Sequence, residues 1–148
     1  HGYEKALREA GIEPLAPVIY PLSRIDGTQA EFEANARGML GFLAPLLTSG
    51  EPVDALVCGN DIDALLAMQA CRLCHREPGR DVLIAGYDNI WNSTPEFQHE
   101  TQPPFATADK RNNLLGRELV RLLRRRVNGE LPAASQSVVV PPHVVTFR

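Results

Sequence analysis

Apolar residues recur along the chain with two alternating spacings, one typical of amphipathic helices and the other of buried strands. The helical spacing predicts helices over residues 2–10, 29–47, 62–75 and 110–128. Short apolar runs bounded by turn residues predict strands over residues 17–22, 55–58, 82–86 and 105–108, with terminal strands over 138–140 and 144–145. Strands that alternate with helices indicate crossover connections, so we expect an α/β fold with a mainly parallel sheet.

Polar side chains follow three of these strands at the point where each strand ends. They are Ser23, Arg24 and Asp26 after the first strand, Asn60 and Asp61 after the second, and Asp88 and Asn89 after the third. In open α/β sheets, ligands bind beyond the carboxyl ends of the strands. Carboxylates and amides can hydrogen-bond hydroxyl groups, so the pattern predicts a site for a sugar or another polyol.

Each candidate also has a structural alternative. Asn60 and Asp61 both precede a predicted helix, and either could cap it; we favour a ligand contact for Asn60 and leave both roles open for Asp61. Asp88 could close an Asx turn, although we favour a site role. Trp91 could stack on a ligand ring, but tryptophan packs into a core more often.

Composition excludes several classes of protein. The chain has 148 residues, 44% hydrophobic and 22% charged, with a net charge of −3. These values fit one soluble globular domain and argue against a nucleic-acid surface, which is normally basic. No apolar run approaches the roughly 20 residues of a membrane-spanning helix. No signal peptide is visible, and the chain opens on a predicted helix without methionine, so we expect further sequence upstream of His1.

Two motifs point to chemistry that we do not expect. The segment Cys71-Arg72-Leu73-Cys74-His75 matches the haem-attachment pattern, but it lies near the end of a predicted helix, so we expect no haem, metal or other cofactor. With Cys58 the chain has three cysteines, which form no disulfide framework and fit a reducing, cytoplasmic setting. A row of arginines on the last helix favours a solvated face or a subunit contact over phosphate binding: Arg117, Arg121, Arg124, Arg125 and Arg126.

The chain resembles the effector-binding domain of the lactose-repressor/galactose-repressor (LacI/GalR) family of bacterial transcription regulators. Five features carry the resemblance, in the family's order. They are the helix with Gly2-Tyr3 and Gly11-Ile12, the strand ending Gly59-Asn60-Asp61, the segment Ala85-Gly86-Tyr87-Asp88-Asn89, the Ala106-Thr107 strand before a helix with Leu115-Gly116, and the ending Val140-Pro141-Pro142-His143-Val144-Val145.

The resemblance implies a two-lobed, periplasmic-binding-protein-like fold of type I, three-layered with a parallel sheet. This chain would then hold most of the C-terminal lobe in residues 1–104 and a segment crossing to the N-terminal lobe in 105–129. Residues 130–148 would be terminal strands that return to the C-terminal lobe. The family's N-terminal helix-turn-helix domain and its first lobe lie outside this sequence.

The resemblance also implies site residues. Asn60 and Asp88 match positions that hydrogen-bond the effector, and Lys110 falls near a cleft position at the lobe crossing. The family's stacking aromatic would fall near residues 26–27, where this chain has none, so Trp91 could replace it. With Asp61, these residues form the predicted ligand site.

The implied function is allosteric sensing of a sugar or small metabolite, which changes DNA binding through the N-terminal domain of a cytoplasmic homodimer. No membrane partner and no catalysis are expected. A periplasmic sugar-binding protein of a transport system shares the fold, but the Pro-Pro-His-Val-Val ending favours the regulator. An enzyme could use Asp61 and Asp88 as an acid/base pair, yet the sequence has no nucleophile–histidine pattern to support one.

Overall fold

The computed structural model describes residues 2–21 and 27–147. Its helices and strands, in chain order, are α1 (Gly2–Glu9), α2 (Gln29–Leu47), β1 (Ala55–Val57), α3 (Asp61–Leu73), β2 (Leu83–Tyr87), β3 (Ala106–Asp109), α4 (Asn112–Val127) and β4 (His143–Thr146). All four predicted helices are confirmed, with ends that differ by one or two residues at most positions.

The sheet has the order β1-β2-β3-β4. The first three strands are parallel, with Leu56 beside Ile84 and Ala85 beside Ala106, whereas β4 runs antiparallel to β3. Because parallel neighbours need crossover connections, α3 links β1 to β2, and the long segment after β2 links it to β3. The predicted α/β fold with a mainly parallel sheet is confirmed.

The core lies between α2, α3 and one face of the sheet. Ile84 and Gly86 of β2 are buried on this face, which α3 covers. The helices contribute a continuous apolar stripe that includes Phe32, Met39, Leu43, Leu65, Leu66 and Met68. Alternate strand residues point the other way, so Val57, Leu83 and Tyr87 leave the opposite sheet face exposed. The described residues therefore cover one face of the sheet. They leave the other face without the second helix layer that the predicted three-layer fold would place there.

Helix α2 begins where its sequence predicts. Thr28 is extended, and its hydroxyl accepts a hydrogen bond from the Glu31 N–H, as the predicted N-cap should. At the other end, the Ala44 carbonyl accepts from both the backbone N–H and the hydroxyl of Thr48, the residue that caps the helix.

The polar composition of residues 88–104 predicts a long loop after β2. The structure shows two short 3-10 helices in this loop, Trp91–Ser93 and Pro95–Gln98. Arg72 of α3 fastens its far end by an ion pair to Glu100 and a 3.0 Å hydrogen bond to the Gln102 side chain. The loop is thus folded against α3 rather than extended into solvent.

Three predictions about strands are wrong. Residues 17–21 have no regular structure, although a strand over 17–22 was expected, and residue 22 lies outside the described residues. Residues 138–140 are also irregular. Strand β1 is half exposed rather than buried, because Ala55 and Val57 point to the uncovered face of the sheet; within the described residues it is an edge strand beside β2. A strand needs a hydrogen-bonding neighbour, and within the described residues neither irregular segment has one.

The apolar spacing along α4 predicts a buried face, and this prediction is wrong for the described chain. The residues of that face are Leu114, Leu115, Leu119, Leu122, Leu123 and Val127. No residue of α4 is buried, and Leu123 and Val127 are 63% and 77% exposed. The apolar stripe is present at helical spacing, but no described element covers it.

Across residues 2–21 and 27–147, no helix has the length and apolar character that are needed to cross a bilayer.

Candidate functional site

The carboxyl ends of the three parallel strands bring polar residues to one edge of the sheet. Asn60 follows β1, Asp88 follows β2, and Lys110 follows β3. Since these strands are adjacent and parallel, their ends meet at the same edge, as the sequence predicts. The candidate residues Ser23, Arg24 and Asp26 lie outside the described residues.

Asp88 and Lys110 form an ion pair at this edge, with 2.5 Å between the Lys110 Nζ and the Asp88 Oδ1. The hydrogen bond to Asp88 raises the pKa of Lys110. The ammonium group also lies 5.5 Å from the centre of the Tyr87 ring, within the range of a cation–π contact. The structure therefore brings together two of the five predicted site residues.

The backbone at Asp88 is unusual for a residue with a side chain. Its φ is +107°, and that of the next residue, Asn89, is +57°. Residues other than glycine rarely adopt such angles, and they persist only where the surroundings fix them. The Asp88 N–H donates to the Ala108 carbonyl at 2.9 Å, which ties this segment to β3.

Asn89 and Asp109 connect the ends of β2 and β3. The Asn89 amide donates to Asp109 Oδ2 at 3.2 Å, and the Arg111 N–H donates to Asp109 Oδ1 at 2.6 Å. These two hydrogen bonds, the backbone one first, lower the pKa of Asp109. Asp109 is thus held as a carboxylate that fixes the start of α4.

A cavity of about 470 Å³ opens beside this group. Residues 88–90 line one side, and Asp109, Arg111 and the first turn of α4 line the other. The volume lies within the roughly 300–1,000 Å³ typical of small-ligand sites. Of the predicted site residues, Asp88 is the one that lines this cavity.

Asn60 is the N-cap of α3. Its Oδ1 accepts from the Asp63 N–H at 2.8 Å, and its Nδ2 donates to the Asp63 carboxylate at 2.8 Å. Burial raises the pKa of Asp63, and the hydrogen bond from Asn60 opposes that rise. Asn60 therefore caps the helix, although we favoured a ligand contact for it. Its side-chain oxygen and nitrogen both hydrogen-bond Asp63.

Asp61 does not cap the helix, so the capping alternative for this residue is wrong. Its side chain is fully buried, and its carboxylate accepts three hydrogen bonds, from the Ile90 and Trp91 N–H groups and from the Thr107 hydroxyl. Asp61 therefore lies beneath the strand ends, where its carboxylate is shielded from solvent.

Trp91 lies in an aromatic cluster. Its ring meets those of Phe97 and Phe147 edge to face, with both centroid distances 5.2 Å, and it packs against the hydrophobic core. This packing favours the core alternative. Stacking of Trp91 on a ligand stays a prediction.

Several residues of this region were missed from the sequence: Gly86, Thr107, Asp109 and Arg111. Asp109 is the last residue of β3 and Arg111 lies two residues beyond it, so the strand-end pattern could have found them. A polar residue inside an apolar strand, such as Thr107, was the other available signal. The close approach of Gly86 to α3 had no signal beyond the glycine itself.

The Cys71–His75 motif lies at the end of α3 and in the turn that follows it. Burial raises the pKa of the Cys71 thiol to about 11, and the Cys74 N–H donates to the Cys71 carbonyl at the end of α3. Among residues 2–21 and 27–147, no group of three or more His, Cys, Asp or Glu side chains could hold a metal ion. On α4, four arginines of the row line a separate cavity of about 270 Å³: Arg117, Arg121, Arg124 and Arg125.

The sequence matches known proteins over most of its length. A family model described as a periplasmic binding protein-like domain matches residues 1–146. The transcriptional regulator CelR of Thermobifida fusca is 30% identical over 129 residues, which is 87% of this chain and 34% of CelR. The transcriptional repressor CytR of Escherichia coli K12 is 30% identical over 131 residues, or 87% of this chain and 33% of CytR. The chain thus spans about a third of the length of these relatives.

Solved structures of transcriptional regulators have a fold similar to that of this chain. The complex of the transcriptional regulator CelR with cellobiose has a TM-score of 0.64 at 29% identity, covering 98% of this chain and 39% of that one. The Lac repressor dimer bound to operator and the anti-inducer ONPF has a TM-score of 0.65 at 25% identity, covering 98% and 44%. These relatives are transcriptional regulators rather than enzymes. The chain belongs to the family of periplasmic binding protein-like domains, in the form found in LacI/GalR transcriptional regulators.

Proposed function

We propose that this chain is the C-terminal part of the effector-binding domain of a cytoplasmic LacI-type transcription regulator, and that a sugar or small metabolite binds at its strand ends. The observation that carries the proposal is the Asp88–Lys110 ion pair at the carboxyl edge of the parallel sheet, beside a cavity of about 470 Å³. The cellobiose complex of CelR supports a sugar as the first effector to test.

Asp88 is the principal polar contact in this proposal. A carboxylate can accept hydrogen bonds from two neighbouring hydroxyls, and the ion pair with Lys110 orients it. Asn60 contributes from the β1 end, and Trp91 from the loop after β2. The hydrogen bonds of the Asn60 side chain to Asp63 and the packing of Trp91 among phenylalanines leave Asp88 and Lys110 as the stronger pair.

The opposite wall of the cleft belongs to an N-terminal lobe in this proposal. Residues 1–104 form most of the C-terminal lobe. Residues 105–129 cross to the N-terminal lobe from β3, which lies in the same sheet as β1 and β2, and residues 130–148 return. The exposed apolar stripe of α4 supports the crossing, because a helix with that pattern packs against a partner in a folded domain. The antiparallel pairing of β4 with β3 supports the return.

The effector acts allosterically in this proposal. Binding between the lobes changes their orientation, and a helix-turn-helix domain N-terminal to this chain transmits the change to operator DNA. The operator-bound Lac repressor dimer supports a homodimer in which one domain binds the effector and another binds DNA. The chain itself catalyses no reaction in this scheme. The alternative, a periplasmic transport protein, receives less support because the relatives named above are DNA-binding regulators.

A thermal-shift screen on the full-length protein tests this function. Neutral mono- and disaccharides, with cellobiose among them, are compared with amino acids and nucleosides at equal concentration. A ligand at 100 times its Kd stabilises the folded state by about 2.7 kcal/mol, which is readily detected as a rise in Tm. We expect at least one sugar to raise the Tm and to change the affinity for operator DNA. Stabilisation by none of the compounds would contradict the proposal.

A further inference from the structure

Asp61, the first residue of α3, is buried directly beneath the candidate site. We propose that Asp61 is a positioning residue for effector binding: its carboxylate holds residues 88–91 in the conformation that presents Asp88 to the cleft. The proposal rests on the proposed role of Asp88 as an effector contact. It gives Asp61 itself no contact with the effector, in contrast to the role expected from the sequence.

The first argument is the set of donors around the carboxylate. Asp61 is 0% exposed, its Oδ2 accepts from the Ile90 N–H at 2.6 Å and the Trp91 N–H at 3.0 Å, and its Oδ1 accepts from the Thr107 hydroxyl at 2.6 Å. Both N–H groups donate to the same oxygen, so the buried carboxylate anchors two successive N–H groups of the loop that follows Asp88.

A third N–H group is anchored through Thr107. The Thr107 hydroxyl has one proton, which it donates to Asp61, so its oxygen lone pairs remain free to accept. The Asn89 N–H donates to that oxygen at 3.2 Å. Asn89, Ile90 and Trp91 are thus all held, directly or through one hydroxyl, by the same carboxylate.

These anchors follow the residues whose backbone most needs support. Asp88 and Asn89 have φ values of +107° and +57°, which residues with side chains rarely adopt. Such conformations persist where surrounding contacts over-determine them. Because the anchors begin at Asn89, they fix the direction in which the chain leaves Asp88 and hence the position of its side chain.

A solely structural role for Asp61 makes a different prediction. If the role is solely structural, loss of these hydrogen bonds lowers the stability of the fold without altering the affinity of the protein that remains folded. If Asp61 is a positioning residue, their loss loosens residues 88–91 and weakens effector binding while the core of α2 and α3 stays intact. The two roles therefore separate when local exchange and affinity are measured beside global stability.

The test uses Thr107, because removal of Asp61 itself could unfold the start of α3. Thr107→Val keeps the shape of the side chain but removes both hydrogen bonds of the hydroxyl, whereas Thr107→Ser keeps the hydroxyl. In the full-length protein, we expect amide hydrogen exchange at residues 89–91 to accelerate about tenfold in Thr107→Val, with exchange in the middle of α3 unchanged. Thr107→Ser should exchange within about threefold of the wild type.

Affinity for cellobiose is measured by calorimetry on the same proteins, with Asp88→Ala as the reference. We expect Thr107→Val to bind about tenfold more weakly and Thr107→Ser to restore affinity to within about threefold. Two results would overturn the proposal. One is that residues 89–91 of Thr107→Val exchange at the wild-type rate. The other is that they exchange faster but the variant binds cellobiose with wild-type affinity. If the wild type binds no cellobiose, the affinity comparison uses the sugar that raises the wild-type Tm most, and the sugar screen separately decides the proposed function.

Discussion

Gly86 and Asp61 approach each other so closely that a side chain does not fit between them. A Cβ atom on Gly86 would lie 2.2 Å from the Asp61 Oδ1 and 3.2 Å from the Asp61 Cα. The glycine of β2 thus allows the first turn of α3 to rest directly on the strand. The contact between Asp61 and the loop after β2 depends on this approach.

We therefore expect Gly86→Ala to destabilise the protein by about 2–4 kcal/mol, because the methyl group overpacks the site and displaces a hydrogen-bonded buried carboxylate. The free energy of unfolding in urea measures the effect. Gly41→Ala is the matched control, because nothing lies within 4 Å of a Cβ at that position and alanine favours the helix. Equal stability of the two variants would contradict the close contact.

The capping role of Asn60 gives a second prediction. Asn60→Ala leaves the Asp63 N–H without its side-chain acceptor, and we expect a loss of about 1 kcal/mol in the free energy of unfolding. The same change removes the hydrogen bond that lowers the pKa of Asp63, so that pKa should rise further above its ordinary value. Asn60→Ser, a good cap, should retain most of the stability. A similar loss in both variants would mean that capping is not what Asn60 contributes.

The pH dependence of Asp109 can be predicted in sign. Its hydrogen bonds from Arg111 and Asn89 lower its pKa in the folded protein. The stability it contributes is therefore fully present above the unfolded pKa of about 3.9 and is lost as the pH falls through the lower folded-state pKa. In a carboxyl NMR titration, Asn89→Ala should move the pKa of Asp109 towards the ordinary value, and Asn92→Ala should not. An ordinary pKa for Asp109 in the wild type would refute this account.

Two thiols should resist alkylation in the native protein. Burial raises the pKa of Cys58 to about 12 and that of Cys71 to about 11. At pH 8 their thiolate fractions are then more than about a hundredfold lower than in an unfolded chain. We expect iodoacetamide to modify both residues correspondingly more slowly in native protein than in urea, as measured by peptide mass spectrometry. Comparable rates in the two states would contradict the burial of these cysteines.

The fold was predicted wherever local sequence decides it. Thr28 and the apolar spacing after it determine α2, and the apolar runs at 55–58 and 82–86 determine two parallel strands. The sequence fails where a partner element decides. Residues 17–21 have strand composition but no described strand beside them, and α4 has an apolar face that no described element covers.

The candidate site was predicted by location better than by role. The strand-end pattern correctly places Asn60 and Asp88 at one edge of the sheet. It does not distinguish Asn60 as the cap from Asp61 as the buried acceptor, because the two adjacent residues differ only in which one precedes the first helical turn. The partner of Asp88 also depends on β3 lying beside β2, which local sequence cannot specify.

The central claim is that Asp88, paired with Lys110, holds the effector. The most direct test is isothermal titration of the full-length protein and its Asp88→Ala variant with the sugar that raises the wild-type Tm most. Loss of a hydrogen bond to a charged group costs about 1.5–3 kcal/mol, so we predict binding at least tenfold weaker in Asp88→Ala, with the Tm of the free protein nearly unchanged. Equal affinity of the two proteins for that sugar would contradict the claim.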